Sequence, residues 1–405
     1  MSRKDHLTFR ANRSQGRHGW LRLTPAYSVH LVEELVAQCG PEELVLDPFC
    51  GTGTTALVCA QAGVRCHTVD INPFLVWLTN AKCASYSASD IKAARDVLAA
   101  ALNAMGQSSD HSWLPAIKDI SKWWEADTLS LLSNLFVQLD HPSLAAPVRD
   151  LLKVIFCRSV IELASVSFGH QSMSFTRRTS TAALVQIAPE QRVSATFQRI
   201  AAEVLNSAKE PLPDAAIAAF TGDARTLAEV LPQTGYTRVI TSPPYPNRMS
   251  YIRELRPYMY WLGYLTSGRQ AGELDWQAIG GTWGCATSNL MKWQHSDCYP
   301  VPYDGFHALV ATVTERSRVL GVYIDKYFHD VVEHIASLKQ VLSPGAKVFY
   351  VVGNSKFYDV LLPTQDIYAA IFAAQGFGDI CVTPIRKRTS KKELFEYIVS
   401  ASLPD

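Results

Sequence analysis

The chain has 405 residues, 48% hydrophobic and 19% charged, with a formal net charge of +1. That composition is ordinary for a globular protein, and the length allows about two to three domain-sized units, or one domain with large insertions. It argues against several classes. No uninterrupted apolar run of about 18 residues or more signals a transmembrane helix, and the basic start MSRKDHLTFRANRSQGRHGW has no apolar core behind it, as a secretory signal would. Nine scattered cysteines form no CxxC pair, so neither a zinc site nor a disulfide framework is indicated, and a reducing cytoplasm is the expected location. The charge balance advertises no polyanion, but binding depends on local patches more than on totals.

Residues 1–18 read as a flexible basic arm. They hold most of a first cluster, Arg3, Lys4, Arg10, Arg13, Arg17 and Arg22. YSVHLVEELVAQCG (27–40) has helical spacing and ends at Gly40, a natural C-cap. ELVLDPFCGTGTTALVCAQAG (43–63) reads as strand, glycine-rich turn and helix. VRCHTVDIN (64–72) reads as a second strand ending in Asp70, and PFLVWLTNAKCASY continues as helix. This β-α-β-α run over 43–86 argues for a parallel sheet covered by helices.

The alternation then stops. Residues 88–215 are mostly helix-like, interrupted by SFGHQSMSFTRRTS (167–180), a polar, basic, aromatic-bearing loop. AAIAAFTGDAR (215–225) and TRVITSPPY (237–245) restore two strands. YIRELRPYMYWLGYL (251–265) is aromatic and helical. Residues 266–306 read as loop, rich in Gly, Ser and Trp. DKYFHDVVEHIASLKQVL (325–342) is an amphipathic helix, SPG turns the chain, and AKVFYVVGN is a buried strand. DIYAAIFAAQGF is a helix, and ICVTPIRKR with LFEYIVSA close the chain as an antiparallel pair. The expected fold is α/β: one doubly wound, mostly parallel sheet with a C-terminal antiparallel strand pair and two insertions. Its core lies in 19–86, 215–265 and 325–405. A helical insertion fills 87–214 and a loop-rich insertion fills 266–324.

Chemistry concentrates at four strand ends. DPFCGTGTT follows a strand and opens a helix, so Asp47, Pro48, Phe49, Gly51, Gly53 and Thr54 form a nucleotide-loop position. Without Gly-Lys-Ser/Thr it is not a P-loop, and a full GxGxxG is absent. A lone Gly-x-Gly is more often a tight turn. Asp70, ending the next strand, is placed to bind ribose hydroxyls, which favours an adenosine ligand. Asp223, with Ala224, ends a third strand. It reads either as an acceptor for an adenine amino group or as an N-cap for ARTLAEVL. TSPPY ends a fourth. Pro243 and Pro244 terminate strand pairing and freeze the carbonyls, either as a plain rigid exit or as a clamp for a planar group with Tyr245 as its wall. All four ends lie on the carboxyl edge, where open α/β sheets bind ligands.

DPFCGTGTT together with TSPPY resembles the amino-methyltransferases that modify DNA bases with S-adenosylmethionine. The resemblance covers 19–83, 215–265 and 325–400 in kind and implies a Rossmann-like class I methyltransferase fold. It implies that the glycine loop binds the methionine and sugar of S-adenosylmethionine, and that Ser242, Pro243, Pro244 and Tyr245 hold the target exocyclic amine of a flipped base. YSVHLVEELV fits the family's N-terminal cofactor element. The Ser-Pro-Pro-Tyr form goes most often with cytosine N4 methylation and sometimes with adenine N6. Many such enzymes place it before the glycine loop, whereas here it follows. Family resemblance also implies double-stranded DNA as partner and a host-protective setting beside a restriction endonuclease.

Cys50 lies in the glycine loop, whereas carbon-5 cytosine chemistry uses a cysteine at the fourth strand end. A packed thiol is the expectation. Arg177 and Arg178 in the 167–180 loop, and Lys292 near Trp276, Trp283 and Trp293, combine basic and aromatic groups suited to phosphates and bases. Such residues also pack small cores of insertions, and composition favours neither reading. Arg248, Arg253, Arg386, Lys387 and Arg388 complete the set of nucleic-acid candidates. Rival functions are an RNA guanine-amine methyltransferase and a catalytically idle nucleic-acid-binding protein.

Overall fold

The computed structural model describes residues 12, 14–21, 27–106, 113–167, 174–175, 188–282, 285–294, 300–388 and 393–405. Strands β1 (Leu44–Asp47), β2 (Arg65–Asp70), β3 (Ile217–Thr221), β4 (Tyr236–Thr241), β5 (Leu342–Gly353), β6 (Gly378–Lys387) and β7 (Phe395–Ser402) form one sheet. Among the described residues its order is β6-β7-β5-β4-β1-β2-β3. β1 pairs in parallel with β2 and β4, β2 with β3, and β4 with β5. β7 is antiparallel to both β5 and β6. The expected α/β sheet with its closing antiparallel pair is therefore present. All four residues of β1 are buried, as a central parallel strand covered on both faces requires. The order reverses between β1 and β4, and that switch point is where doubly wound sheets open a crevice.

Helices α1 (Val29–Val36), α2 (Thr54–Ala62) and α3 (Pro73–Cys83) cover the first strands. α1 ends at Ala37, before Gly40. α3 starts well for clear reasons: Pro73 occupies its first turn and the Asn72 side chain accepts the Phe74 N–H. The helical insertion supplies α4 (Ala88–Ala104), α5 (Ala126–Leu139), α6 (Ala146–Glu162) and α7 (Pro189–Ala208). It shares one core with α3 and with α8 (Tyr251–Trp261), which follows the TSPPY segment. Trp261 sits fully buried at its centre, ringed by Trp124, Phe136 and Phe156.

The second insertion departs from its loop-like reading. α9 (Gly268–Gln277), a short helix at Cys285–Leu290 and α10 (Phe306–Arg316) fold within it. Ile279, Leu290, Val301, Phe306 and Val313 share a core with α11 (Arg318–Lys339). α11 starts seven residues before the expected Asp325 because the Ser317 hydroxyl caps it by accepting the Leu320 N–H. β5 likewise absorbs the expected SPG turn. α12 (Thr364–Ala374) lies between β5 and β6 in sequence. No described helix is long and apolar enough to cross a membrane.

The flexible-arm reading fails at Arg17, which is buried rather than free. Its guanidinium donates to the carbonyls of Lys82 (2.9 Å), Ala84 (2.6 Å), Ser207 (3.4 Å), Ala208 (3.0 Å) and Glu210 (2.9 Å). These are the orphan carbonyls at the C-terminal ends of α3 and α7, so one cation ties the sheet domain to the helical insertion. A planar fork with five donors suits that task.

Candidate active site

The glycine loop is built from backbone geometry and two carboxyl groups. Gly53 stands at φ +74°, and a Cβ there would come within 2.6 Å of the Thr79 side chain, so only glycine fits the turn into α2. The Gly51 N–H donates to Asp70 Oδ2 and the Asn72 N–H to Asp70 Oδ1, both at 2.9 Å. Asp47 Oδ1 accepts the Phe49 N–H (3.0 Å) and the Thr241 hydroxyl (2.5 Å). The second bond crosses the switch point from β1 to β4. Among the described residues, Asp47 Oδ2 is buried without a hydrogen-bond partner. Burial pushes the Asp47 carboxyl up to about 6 and the Asp70 carboxyl up to about 7. Beneath the loop, the buried Lys82 ammonium donates to the carbonyls of Thr52 (2.9 Å) and His18 (3.3 Å). Pro48 is buried and Phe49 half-buried. The Cys50 thiol is buried against Thr79 Oγ1 at 2.9 Å and pushed up by burial, a packing thiol as expected.

Across the switch point, the Ser242–Tyr245 segment is fastened by tyrosine hydroxyls. Tyr327 donates to the Pro244 carbonyl at 2.7 Å, and Tyr251 accepts the Tyr245 N–H at 3.1 Å. Tyr323 accepts the N–H of Arg248 at 3.2 Å, which holds a residue at φ +59°. Ser242 Oγ donates to the Val351 carbonyl of β5 at 3.1 Å. Its proton is thus engaged, the Tyr245 hydroxyl lies 3.5 Å from the same oxygen, and one lone pair remains to accept. The Pro243 carbonyl takes no hydrogen bond among the described residues. Two acceptors therefore stand side by side at the end of β4. Burial holds the Tyr245 phenol well above its ordinary value, so it stays protonated at neutral pH and is no base.

Asp223 corrects one half of its sequence reading. The cap position of the short helix Leu227–Val230 is Thr226, so Asp223 is not its N-cap. Asp223 instead pairs with Arg225 at 2.6 Å, and Arg225 also reaches Asp330 (2.8 Å) and the Gln277 carbonyl (2.8 Å). This joins the third strand end to α11 and to the second insertion. The Ala224 carbonyl lies 2.8 Å from His334 Nδ1, and Tyr350 Oη lies 2.7 Å from His334 Nε2. A carbonyl only accepts, so Nδ1 carries the hydrogen and Nε2 accepts from Tyr350. Burial lowers His334 to about 4, which keeps it neutral, and its edge packs on Phe49 at 4.8 Å between ring centroids.

A family model described as a DNA methylase matches residues 11–80, the stretch holding the glycine loop and Asp70. The chain is 21% identical over 444 residues to "Type II methyltransferase M.BsoBI" of Geobacillus stearothermophilus, covering 96% of this chain and 85% of that protein. The chain is thus similar to the DNA methylases of that family model and to Type II methyltransferases. "Type II methyltransferase M.AvaI", from Nostoc sp. and from Anabaena variabilis, is 33% identical over 69 residues, 16% of this chain and 14% of that protein. Among solved structures, the rRNA methyltransferase aviRa from Streptomyces viridochromogenes aligns at 13% identity over 97% of this chain and 92% of that one. Its TM-score of 0.29 is too low to bear on fold or function.

Similarity to methyltransferases implies S-adenosylmethionine as methyl donor, and the glycine-loop residues of this chain fit it. A Cβ on Gly51 would meet nothing nearer than the Phe49 carbonyl at 3.8 Å, so the loop is open on that side. Asp47 and Asp70 have no ion-pair partner among the described residues, and a ligand bearing sulfonium and ammonium charge offsets exactly that imbalance of buried acid.

The nucleic-acid candidates separate. Arg177 and Arg178 lie outside the described residues. Arg248 and Lys292 are exposed, Arg248 beside the Ser242–Tyr245 segment. Arg253 is half-buried in the first turn of α8, and its Nε has no hydrogen-bond partner among the described residues. Arg386 is ion-paired to Glu396 at 2.7 Å, and Lys387 is half-buried in β6. Arg388 lies over the Tyr245 ring. Sequence reading did not reach Tyr251, Tyr323, Tyr327, Lys82, Arg225 or His334. The only signal for the tyrosines was the aromatic run of α8 and α11, which says nothing of where hydroxyls point.

Proposed function

We propose that this chain is a methyltransferase that moves a methyl group from S-adenosylmethionine to the exocyclic amine of a base flipped out of DNA, with cytosine N4 ahead of adenine N6. One observation carries the reading: at the switch point beside the glycine loop, Ser242 has its proton turned to Val351 while the Pro243 carbonyl is unbonded among the described residues. Two fixed acceptors match the two N–H bonds of an amine. When bound, S-adenosylmethionine supplies a methyl on a positively charged sulfur, and Asp47, Gly51, Gly53, Thr54 and Asp70 are the residues that would hold it, with Asp223 and Ala224 toward the base end.

A base amine is a poor nucleophile because its lone pair is delocalised into the ring. Accepting both N–H bonds favours a more tetrahedral nitrogen and stabilises the positive charge it develops as its bond to carbon forms. Holding that nitrogen in line supplies much of the rate. The extra proton then leaves to water, since a protonated Tyr245 cannot take it. Tyr245 offers a ring for stacking, and the base must be extrahelical to reach it. The preference for cytosine rests on the Ser-Pro-Pro-Tyr form, and the matching family model, described as a DNA methylase, supports DNA as substrate.

The test is to incubate the protein with S-adenosylmethionine and unmethylated bacterial genomic DNA, digest to nucleosides and analyse them by mass spectrometry. N4-methylcytosine is expected. N6-methyladenine instead overturns the cytosine assignment and keeps the amine mechanism. No methylated deoxynucleoside, with methylguanine appearing in total tRNA, overturns DNA as substrate.

A further inference from the structure

Arg388 belongs by sequence to a basic run that suits a phosphate, yet its side chain points into the site. The guanidinium carbon lies 5.0 Å from the centroid of the Tyr245 ring. Nη1 donates to the Asn354 carbonyl at 2.7 Å, and the Arg388 N–H donates to the Leu394 carbonyl at 2.8 Å. The arginine is therefore held at both ends. Gly353, just before Asn354, completes the contact. A Cβ there would meet Arg388 Nη1 at 2.8 Å and Tyr245 Cε2 at 2.8 Å, so the backbone is bare where ring and guanidinium converge. Glu396, already paired with Arg386, also feels the charge of Arg388.

The rotation of a tyrosine ring about χ2 is soft. The Ser242–Tyr245 backbone is fixed by Tyr251 and Tyr327, but those bonds do not set the plane of the ring. A guanidinium lying on one side, with glycine backbone against its edge, does.

We propose that Arg388 is a positioning residue acting through Tyr245: anchored on the Asn354 carbonyl, it sets the ring plane against which the target base stacks. Gly353 is the second part of the device, because any side chain there displaces both groups. The inference rests on the reading of Ser242–Tyr245 as the amine site. It differs from a phosphate contact, in which Arg388 would act on binding and leave the bound base alone.

The experiment measures kcat, KM for DNA and the salt dependence of DNA binding for Arg388→Ala, Arg388→Lys, Gly353→Ala, Tyr245→Ala and the Arg388→Ala/Tyr245→Ala double variant. S-adenosylmethionine and unmethylated bacterial genomic DNA serve as substrates. Arg388→Ala is expected to lower kcat by about 10- to 100-fold, as a small misplacement of a reacting group does, with KM and salt slope unchanged. Lysine keeps the charge but not the plane, so Arg388→Lys stays close to the alanine variant. Gly353→Ala reproduces the kcat loss with Arg388 intact. The double variant is no slower than Tyr245→Ala alone. Two results overturn the proposal: a raised KM with unchanged kcat and a salt slope shallower by about 1, or additive losses in the double variant. A wild-type protein that methylates no nucleic acid removes the reading of the site and this inference with it. An active wild type with Arg388→Ala at full kcat removes this inference alone.

Discussion

The two sides of the crevice hold their strand ends with different chemistry. On the β1–β2 side, backbone N–H groups meet the carboxyl groups of the buried Asp47 and the half-buried Asp70, which are held in or near the physiological titration range. On the β4–β5 side, three tyrosine hydroxyls and a serine fix the backbone, and burial keeps the phenols of Tyr245, Tyr251, Tyr323 and Tyr327 above their ordinary values. The first side suits a cation and should respond to pH. The second suits a neutral amine and should respond to geometry alone. Substitutions that separate donor binding from transfer test that division.

The largest effect is expected on the geometric side. Ser242→Ala removes one of the two acceptors and should lower kcat by about 10²- to 10³-fold, the usual cost of losing one fixed transition-state partner. The dissociation constant for S-adenosylmethionine, read by calorimetry, should not move. Asp70→Ala should do the reverse. It leaves the Gly51 and Asn72 N–H groups without an acceptor and is expected to weaken the donor by about 10- to 100-fold, on the scale of unmade charged hydrogen bonds. Equal losses of affinity in both variants would erase the distinction between the two sides.

A pH series sharpens it. A carboxyl raised by burial is protonated below its folded value, and only its charged form attracts a cation. Affinity for S-adenosylmethionine should therefore be full above about pH 7 and fall as pH drops through about 7 and 6, by up to about tenfold per unit for each group that must ionise. The stability of the unliganded protein moves the other way. The unfolded chain releases these protons at lower pH, near the ordinary carboxylate value, so the folded state binds more protons in between. The contribution is fully present below the ordinary value and is lost as pH rises through about 7. Thermal melting with and without S-adenosylmethionine, from pH 5 to 8, reads both trends at once, and an affinity flat across that window would show that neither carboxyl faces the donor's charge.

The sequence carried one side of the crevice further than the other. Gly51, Gly53 and Asp70 were legible because a glycine turn and a strand-end acid act through backbone geometry, which local residue order dictates. The sheet was legible for the same reason, through alternating apolar strands and helices. The partners of the SPPY segment were not. Tyr251 lies six positions after Tyr245, but Tyr327 comes from α11, and nothing in an amphipathic pattern tells which tyrosine turns its hydroxyl inward. Asp223 was read as a base acceptor or a cap; the cap position is Thr226, and nothing in the local pattern showed that Arg225, two residues on, would pair with both its oxygens. Arg17 misled because a basic N-terminal run looks solvated. Its five carbonyl partners come from two helix ends far apart in sequence, a contact that only the packed insertion creates.

The smallest expected effect is the most discriminating for the geometric side. Tyr327→Phe keeps the buried ring and removes only the hydroxyl that donates to the Pro244 carbonyl and meets the Tyr368 hydroxyl at 3.0 Å. The loss of stability should be modest, about 1 kcal/mol, since Tyr368 can turn to the freed space and one neutral hydrogen bond is removed. The Pro244 carbonyl is one peptide away from the Pro243 carbonyl proposed above as an acceptor for the amine, so loosening the first lets the second drift. A fall in kcat of about 3- to 10-fold, with unchanged affinities for donor and DNA, is the expected result. Because Tyr327 touches neither ligand, such a change isolates alignment from contact. If kcat holds at the wild-type value while the melting temperature falls, the tyrosine hydroxyl supports the fold without setting the acceptor, and Ser242 alone bears the alignment.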